Sequence, residues 1–349
     1  MTKIFYRYLI KRSFYFSFLI LIIFGLLDSV FMLISELENI SNEYKFANIL
    51  KYVFFSMPHR LIDFVEGSCL LGLMISLGLS HQEGNLNVLR SSGSSPFKIV
   101  ALSSLGAIFL TLSLISLDEI SFRNAFLNAE ASKNLIVSRH NTSNAQSKWI
   151  KSGDSYLNFH DVYDNKIYKV RFLKFKDKKL SHSIISDSAV LDGNKITFDN
   201  AVYKNFLDNT EIKEYVNFDI PLRSKITLDN INNLGIIDLY SYKKLFSNSN
   251  LKKDVIFKSH IDKYFYKKLF LPISIFLLIT FFGSLVFTSL RESTIGGKII
   301  ISIVGAFIYR LIQDLSASVF ISYNLPVVIG IALPSMILII LSLRFYKNI

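Results

Sequence analysis

SFYFSFLILIIFGLLDSVFMLIS, residues 13–35, is an apolar run broken only by small polar residues and Asp28. A helix must be about 20 residues long to cross roughly 30 Å of hydrocarbon, and this run meets that length. It is too long for the core of a cleaved signal peptide, and no small-x-small cleavage pattern follows it. Five further runs have the same character: Leu61–Ser80, Phe97–Leu117, Leu269–Leu290, Ile299–Ser322 and Pro326–Leu343. They fall into two groups of three, with a long polar stretch between the groups.

The bulk composition agrees. Hydrophobic residues make up 51% of 349 and only 19% are charged, below the quarter expected of a soluble domain. A net charge of +12 on so apolar a chain points to membrane flanks and anionic lipid rather than to nucleic acid. The single cysteine, Cys69, excludes a disulfide framework within the chain and any cysteine-based metal cluster. Flanked by Gly67 and Gly72, it reads as small-residue helix packing.

Basic residues set the expected orientation. Lys3, Arg7, Lys11 and Arg12 precede span one; Arg90 and Lys98 lie between spans two and three. Arg291 and Lys298 lie between spans four and five, and Arg344 and Lys347 follow span six. Six spans place all four segments on one side, which is then cytoplasmic, with both termini inside. The acidic Glu36, Glu38 and Glu43 fall on the outer side.

The polar insertion alternates with period two. Leu157 and Phe159 flank Asn158; Tyr168, Val170 and Phe172 alternate with Lys169 and Arg171. Ile196 and Phe198 continue the pattern, as do Val216, Phe218 and Ile220. Turn pairs such as Asp164-Asn165 and Asp192-Gly193-Asn194 separate them. This predicts short antiparallel strands in a small sandwich or jelly roll, with a helix over Asp238–Lys263 leading back to span four. The expected fold is an α-helical integral membrane protein of six spans, 3+3, with an inserted periplasmic all-β, jelly-roll-like domain. Residues 1–119 carry spans one to three, 120–268 the insertion, and 269–349 spans four to six.

No phosphate-binding loop is present. Gly296-Gly297-Lys298 is followed by Ile299, and Glu292 stands where the first glycine belongs. Neither H-E-x-x-H nor G-x-S-x-G occurs, and the six histidines are scattered, so neither a metal site nor enzyme chemistry is expected. The most informative loop is residues 80–98, SHQEGNLNVLRSSGSSPFK. Leu86 and Leu89 share one face of a short amphipathic helix at about 82–92. Gly93 is a C′ residue, and Ser95 caps a new helix with Pro96 in its first turn. The segment reads either as a plain connector or as a lever whose apolar face docks into another protein.

Several stretches together resemble one family. Glu36-Leu37-Glu38-Asn39-Ile40-Ser41 looks like its acidic segment after span one. Pro58, Leu70-Leu71-Gly72-Leu73 and Leu77-Gly78 look like its second span. Asn85-Leu86-Asn87-Val88-Leu89-Arg90-Ser91-Ser92-Gly93 is similar to its E-L-x-V-M-R-A-S-G loop. Trp149-Ile150-Lys151-Ser152-Gly153 is similar to the opening of its β-domain, and Pro326, Gly330 and Leu333-Pro334-Ser335 to its last span. In this order and spacing they resemble the LptG permeases of the lipopolysaccharide export ABC transporter, the YjgP/YjgQ family, over nearly the whole chain.

The resemblance implies a heterodimer with an LptF-like permease and an LptB-like ATPase dimer that binds ATP and Mg. It also implies an LptC-like periplasmic bridge protein, with lipopolysaccharide drawn from the bacterial inner membrane. This chain would hold no cofactor itself. Glu83, Asn85, Leu86, Val88, Leu89, Arg90 and Gly93 would form the ATPase-coupling segment. Asn85 stands where the family has a glutamate, so either Glu83 replaces it or the contact is neutral. The basic residues common at the outer end of span one are replaced here by Met32, Glu36 and Glu38, so phosphate contacts would come from other groups, with Arg60, Lys51 and the partner subunit as candidates. Spans one and five would form lateral doors, which makes Asp28, Phe31, Arg310 and Asp314 gate or cavity residues. Arg310 and Asp314, at i and i+4, are expected to pair, or Arg310 to reach Asp28. The alternatives are the paralogous LptF role and a membrane anchor that presents a β-domain.

Overall fold

The computed structural model describes residues 2–41, 44–140, 148–152, 154–159, 161–163, 166–176, 179–192, 195–206, 215–217, 231–248, 255–287 and 295–347. Two compact units divide the chain, residues 1–130 with 231–349, and residues 131–230. Residues 120–130 and 231–268, grouped with the insertion on polarity, therefore pack with the helices.

In the helical unit, α1 spans Thr2–Leu37, α2 Phe46–Gln82, α3 Asn85–Ser91 and α4 Pro96–Leu117. A π turn over Asp118–Phe122 carries α4 into α5, Arg123–His140, of which only the residues up to Glu130 belong to this unit. After the insertion come α6, Ile236–Asn248, then α7, Val255–Ser284, α8, Ile295–Ser322, and α9, Val327–Lys347. Among the described residues six helices are long and apolar enough to cross a membrane; four of the expected runs lie wholly within them, Pro326–Leu343 begins one residue before its helix, and positions 288–290 of the run Leu269–Leu290 lie outside the described residues. Of the helix expected over 238–263, residues 238–248 are helical in α6 and 255–263 in α7, and 249–254 lie outside the described residues.

Membrane helices gain little from apolar contact with one another, because lipid is equally apolar. Close backbone approach matters more. A Cβ on Gly72 would overlap the Ser17 amide nitrogen, and one on Gly106 would overlap the Ile10 carbonyl oxygen. These glycines let α2 and α4 pack against α1. Cys69 is fully buried in the same seam, one turn from Gly72, and Ser17 Oγ donates to its carbonyl at 3.4 Å.

Among the described residues, the strands of the second unit form one antiparallel sheet. Its strands are β1 Lys148–Ser152, β2 Ser155–Phe159, β3 Asp161–Tyr163, β4 Lys166–Lys176, β5 Lys179–Asp192, β6 Lys195–Asp199, β7 Val202–Asn205 and β8 Tyr215–Asn217. They run in the order β1-β2-β4-β5-β6-β8, with β3 added to β4 and β7 to β5. Leu157, Phe159, Val170, Phe172, Ile196 and Phe198 all face one core.

The strict alternation expected through Tyr168, Val170 and Phe172 fails at one point. Ile167, not Tyr168, is buried, and Lys169 has φ +49°. Opposite it, Ala189 is buried with Ser186 and Ile184. The pairing register is the same on both sides, Tyr168↔Ser188 and Val170↔Ser186, while the inward set changes parity on both strands. That coils the long β4–β5 hairpin and curls the sheet around its core, the jelly-roll-like form expected. The expected positions Phe218 and Ile220 lie outside the described residues.

Candidate functional site

One end of the helical unit is built around α3. Gly84, at φ +77°, turns the chain out of α2, a conformation that glycine adopts without strain. Gly93, at φ +85°, ends α3. The Ser94 amide donates to the Leu89 carbonyl at 3.1 Å and the Gly93 amide to Arg90 at 3.0 Å, the pair of bonds of a Schellman stop. Ser95 Oγ then accepts from the Lys98 amide at 3.3 Å, with Pro96 opening α4. The helix, stop and restart read from sequence are all present.

The apolar face of α3 points elsewhere than expected. Leu86 and Leu89 are 0% and 1% exposed and belong to the same core as Leu9, Ile99 and Val100. They fasten α3 to its own chain and are not available to dock on another protein. The spacing correctly shows one apolar face, but the partner of that face is intramolecular. The open face carries Asn87, Val88, Arg90 and Ser91.

Glu83 is also engaged. Arg12 donates Nη1 to Oε2 at 2.6 Å and Nη2 to Oε1 at 2.8 Å, and Asn85 Nδ2 donates to Oε2 at 2.9 Å. The Arg12 hydrogen bond holds the Glu83 carboxyl below the usual carboxylate range. Arg12 also reaches Tyr8 Oη at 2.8 Å, and Tyr6 Oη donates to Ser94 Oγ at 2.6 Å. Together these contacts pin the α2–α3–α4 connection to the first turns of α1.

Toward the other end of these helices lies a charged chamber. Arg60 binds Asp28 as a fork, Nε to Oδ2 at 2.7 Å and Nη2 to Oδ1 at 2.6 Å, joining α2 to α1. His59 Nδ1 is 2.6 Å from Asp118 Oδ1, and the imidazole stacks on Phe126. Glu119 accepts from the amides of Ile236 and Ile237 at 3.1 Å, satisfying the start of α6, and from Arg123 at 2.9 Å. Two cavities adjoin here, of about 260 and 400 Å³, and share Ile62, Asp63, Asn232 and Lys268.

The expected pairing of Arg310 is not found. Arg310 Nη1 donates to the Asp63 carbonyl at 2.6 Å, and its Nη2 lies 3.7 Å from the Asp63 carboxylate. Asp314 instead accepts from Lys267 at 2.8 Å, with Lys263 at 3.8 Å. Asp28 is taken by Arg60. The i, i+4 spacing permits a pair within one helix, but cations on α7 and an acid on α2 offer contacts between helices. Phe31 is 69% exposed on α1 and lines neither cavity. Sequence reading missed Asp63 and Glu66, although the argument that singles out Asp28 applies to both, since each lies within the apolar run Leu61–Ser80.

Among the described residues, six membrane-length helices, a β unit inserted between the third and fourth, and ionisable groups gathered inside the helical unit define a polytopic membrane protein. Residues 7–348 match the family model of the lipopolysaccharide export system permease LptF/LptG, and the chain belongs to that family. It is 22% identical over 309 residues to the lipopolysaccharide export system permease protein LptG of Haemophilus influenzae, covering 82% of each chain. It is 21% identical over 355 residues to LptG of Escherichia coli K12, covering 92% of this chain and 97% of that one. Family and helices together make it a multi-pass inner-membrane protein.

Proposed function

We propose that this chain is the LptG-type permease subunit of a lipopolysaccharide-exporting ABC transporter. In this reading it pairs with an LptF-like permease, is driven by an LptB-like ATPase dimer that binds ATP and Mg, and delivers lipid to an LptC-like bridge. Both termini and α3 lie in the cytoplasm, and the β unit lies in the periplasm, as the basic flanks suggest. The matched curated relatives carry the name LptG, which favours this role over the paralogous one.

The observation that carries the reading is the anchorage of α3. Its inner face is held by Leu86, Leu89 and the Arg12–Glu83 fork, while Val88, 51% exposed, and Arg90 face outward. A push on the outer face therefore reaches α1 and α2 as a rigid displacement. Such a handle suits a chain with no phosphate-binding loop of its own. Each acyl CH₂ withdrawn from lipid into water costs about 0.8 kcal/mol, so extracting a multi-acyl lipid requires external work.

The test is affinity purification of the tagged full chain, identification of what co-purifies, and ATP-dependent lipopolysaccharide release in proteoliposomes. Val88→Glu with Arg90→Glu should remove the ATPase subunit while the permease pair stays together. An ATPase that remains bound would overturn the handle. A complex that hydrolyses ATP without releasing lipopolysaccharide would overturn the exporter.

A further inference from the structure

The smaller cavity lies between α2, α7 and α8, within the helical unit of this one chain. Its charges do not cancel locally. Lys267 and Lys263 share the single carboxylate of Asp314, and Arg310 faces Asp63. Outside these contacts the lining holds one more cation, Lys268, and one more carboxyl, Glu66. Lys268 Nζ donates to the carbonyl of Leu234 at 2.6 Å and makes no ion pair among the described residues. Glu66 lines the cavity, is 8% exposed, and its Oε1 is fully enclosed with no hydrogen-bond partner. An unpaired polar atom in an apolar interior is costly, and ionisable groups inside spans are retained chiefly for function.

A leftover acceptor and a leftover cation in one chamber match a ligand that carries both signs. A lone phosphate would satisfy Lys268 and its neighbouring lysines but would be repelled by Glu66. A lone ammonium would satisfy Glu66 and be repelled by the lysines. We propose that this cavity binds a phosphoethanolamine head group, with its phosphate toward Lys268 and Lys263 and its ammonium donating to Glu66. The volume of about 260 Å³ suits a head group and excludes a whole lipid, whose acyl chains would lie along the exposed apolar flank of α8. The binding does not depend on the exporter reading, because it requires only the membrane-embedded chain.

The test uses the purified full chain in detergent and native mass spectrometry with short-chain lipids. Dihexanoyl phosphatidylethanolamine should bind about tenfold more tightly than dihexanoyl phosphatidylglycerol, the scale of one charge-assisted hydrogen bond. Glu66→Gln, close in shape but neutral, should bring the two lipids to within about twofold. Lys268→Gln should weaken both. Lipopolysaccharide with and without phosphoethanolamine substituents, added as competitor, separates the two natural sources of this head group. Competition by the substituted form alone would place the exported lipid in the cavity, and no competition would assign it to resident phospholipid. The proposal fails if the unaltered chain does not distinguish the two short-chain lipids. It also fails if Glu66→Gln leaves the preference intact, which would mean that Glu66 is a neutral acid with no ligand.

Discussion

Arg12 and Glu83, 71 residues apart, form a two-pronged ion pair at 2.6 and 2.8 Å, and this contact ties the start of α1 to the turn that enters α3. Glu83 is open to solvent, so the pair is sensitive to pH and salt. Because Arg12 depresses the Glu83 carboxyl below its ordinary value, the stabilisation is complete above the unfolded pKa of about 4.3. It is lost as pH falls through the lower, folded value. Hydrogen exchange of amides 85–91, corrected for intrinsic rate, should be constant from pH 8 to 5 and accelerate below that. Glu83→Gln should show the faster exchange at every pH. Protection lost already near pH 6 would contradict the assignment.

Leu86→Asp with Leu89→Asp should damage the permease itself. Both side chains are enclosed by the chain's own core, and a buried aspartate there has no partner. Even truncation to alanine at such a site typically costs about 2–5 kcal/mol. A detergent-solubilised double variant should lose thermal stability in the absence of any ATPase subunit. Wild-type melting, together with loss of the ATPase, would restore the docking role that their spacing suggests.

Gly93→Ala isolates backbone conformation from packing. Nothing lies within 4 Å of an added Cβ, so the change adds no clash, but φ +85° disfavours every side chain. The expected cost is about 1–2 kcal/mol. The strain should appear as faster hydrogen exchange of the Ser94 amide, which closes the helix stop. Unchanged exchange there would show that the turn tolerates alanine by another geometry.

The features legible in the sequence were those set by local chemistry. Six apolar lengths, the glycine stop at 93 and the serine–proline restart at 95–96 depend on neighbours along the chain. Period-two strands were legible up to Lys169, where two paired strands change parity together, and no single strand reveals that. What could not be read was which side chain meets which. Leu86 and Leu89 announce an apolar face without naming its partner. Arg310 and Asp314 sit at pairing distance along one helix, yet each is claimed by a different helix. The Arg12–Glu83 and Arg60–Asp28 contacts join residues 71 and 32 positions apart, and their existence follows only from how the helices assemble.

Asp28 and Arg60 offer the cleanest test of the charged chamber. The Asp28 carboxylate is 15% exposed and the Arg60 guanidinium 37%. Removing one partner of a fully buried pair typically costs about 3–5 kcal/mol, because the other charge is left stranded. Partial exposure of Arg60 admits water and reduces that to roughly 1–3 kcal/mol. Arg60→Leu should therefore lower the thermal stability of the helical unit, and Arg60→Leu with Asp28→Leu should recover much of the loss. Arg310→Leu should not be recovered by Asp314→Leu, since Asp314 would leave Lys267 and Lys263 without their acid. Asp28→Leu should not recover it either. A double-variant cycle across the four residues measures this directly, as coupling between Asp28 and Arg60 and none between Arg310 and Asp314. Coupling in the second pair, with none in the first, would reverse the assignment and return Arg310 to a partner on its own helix.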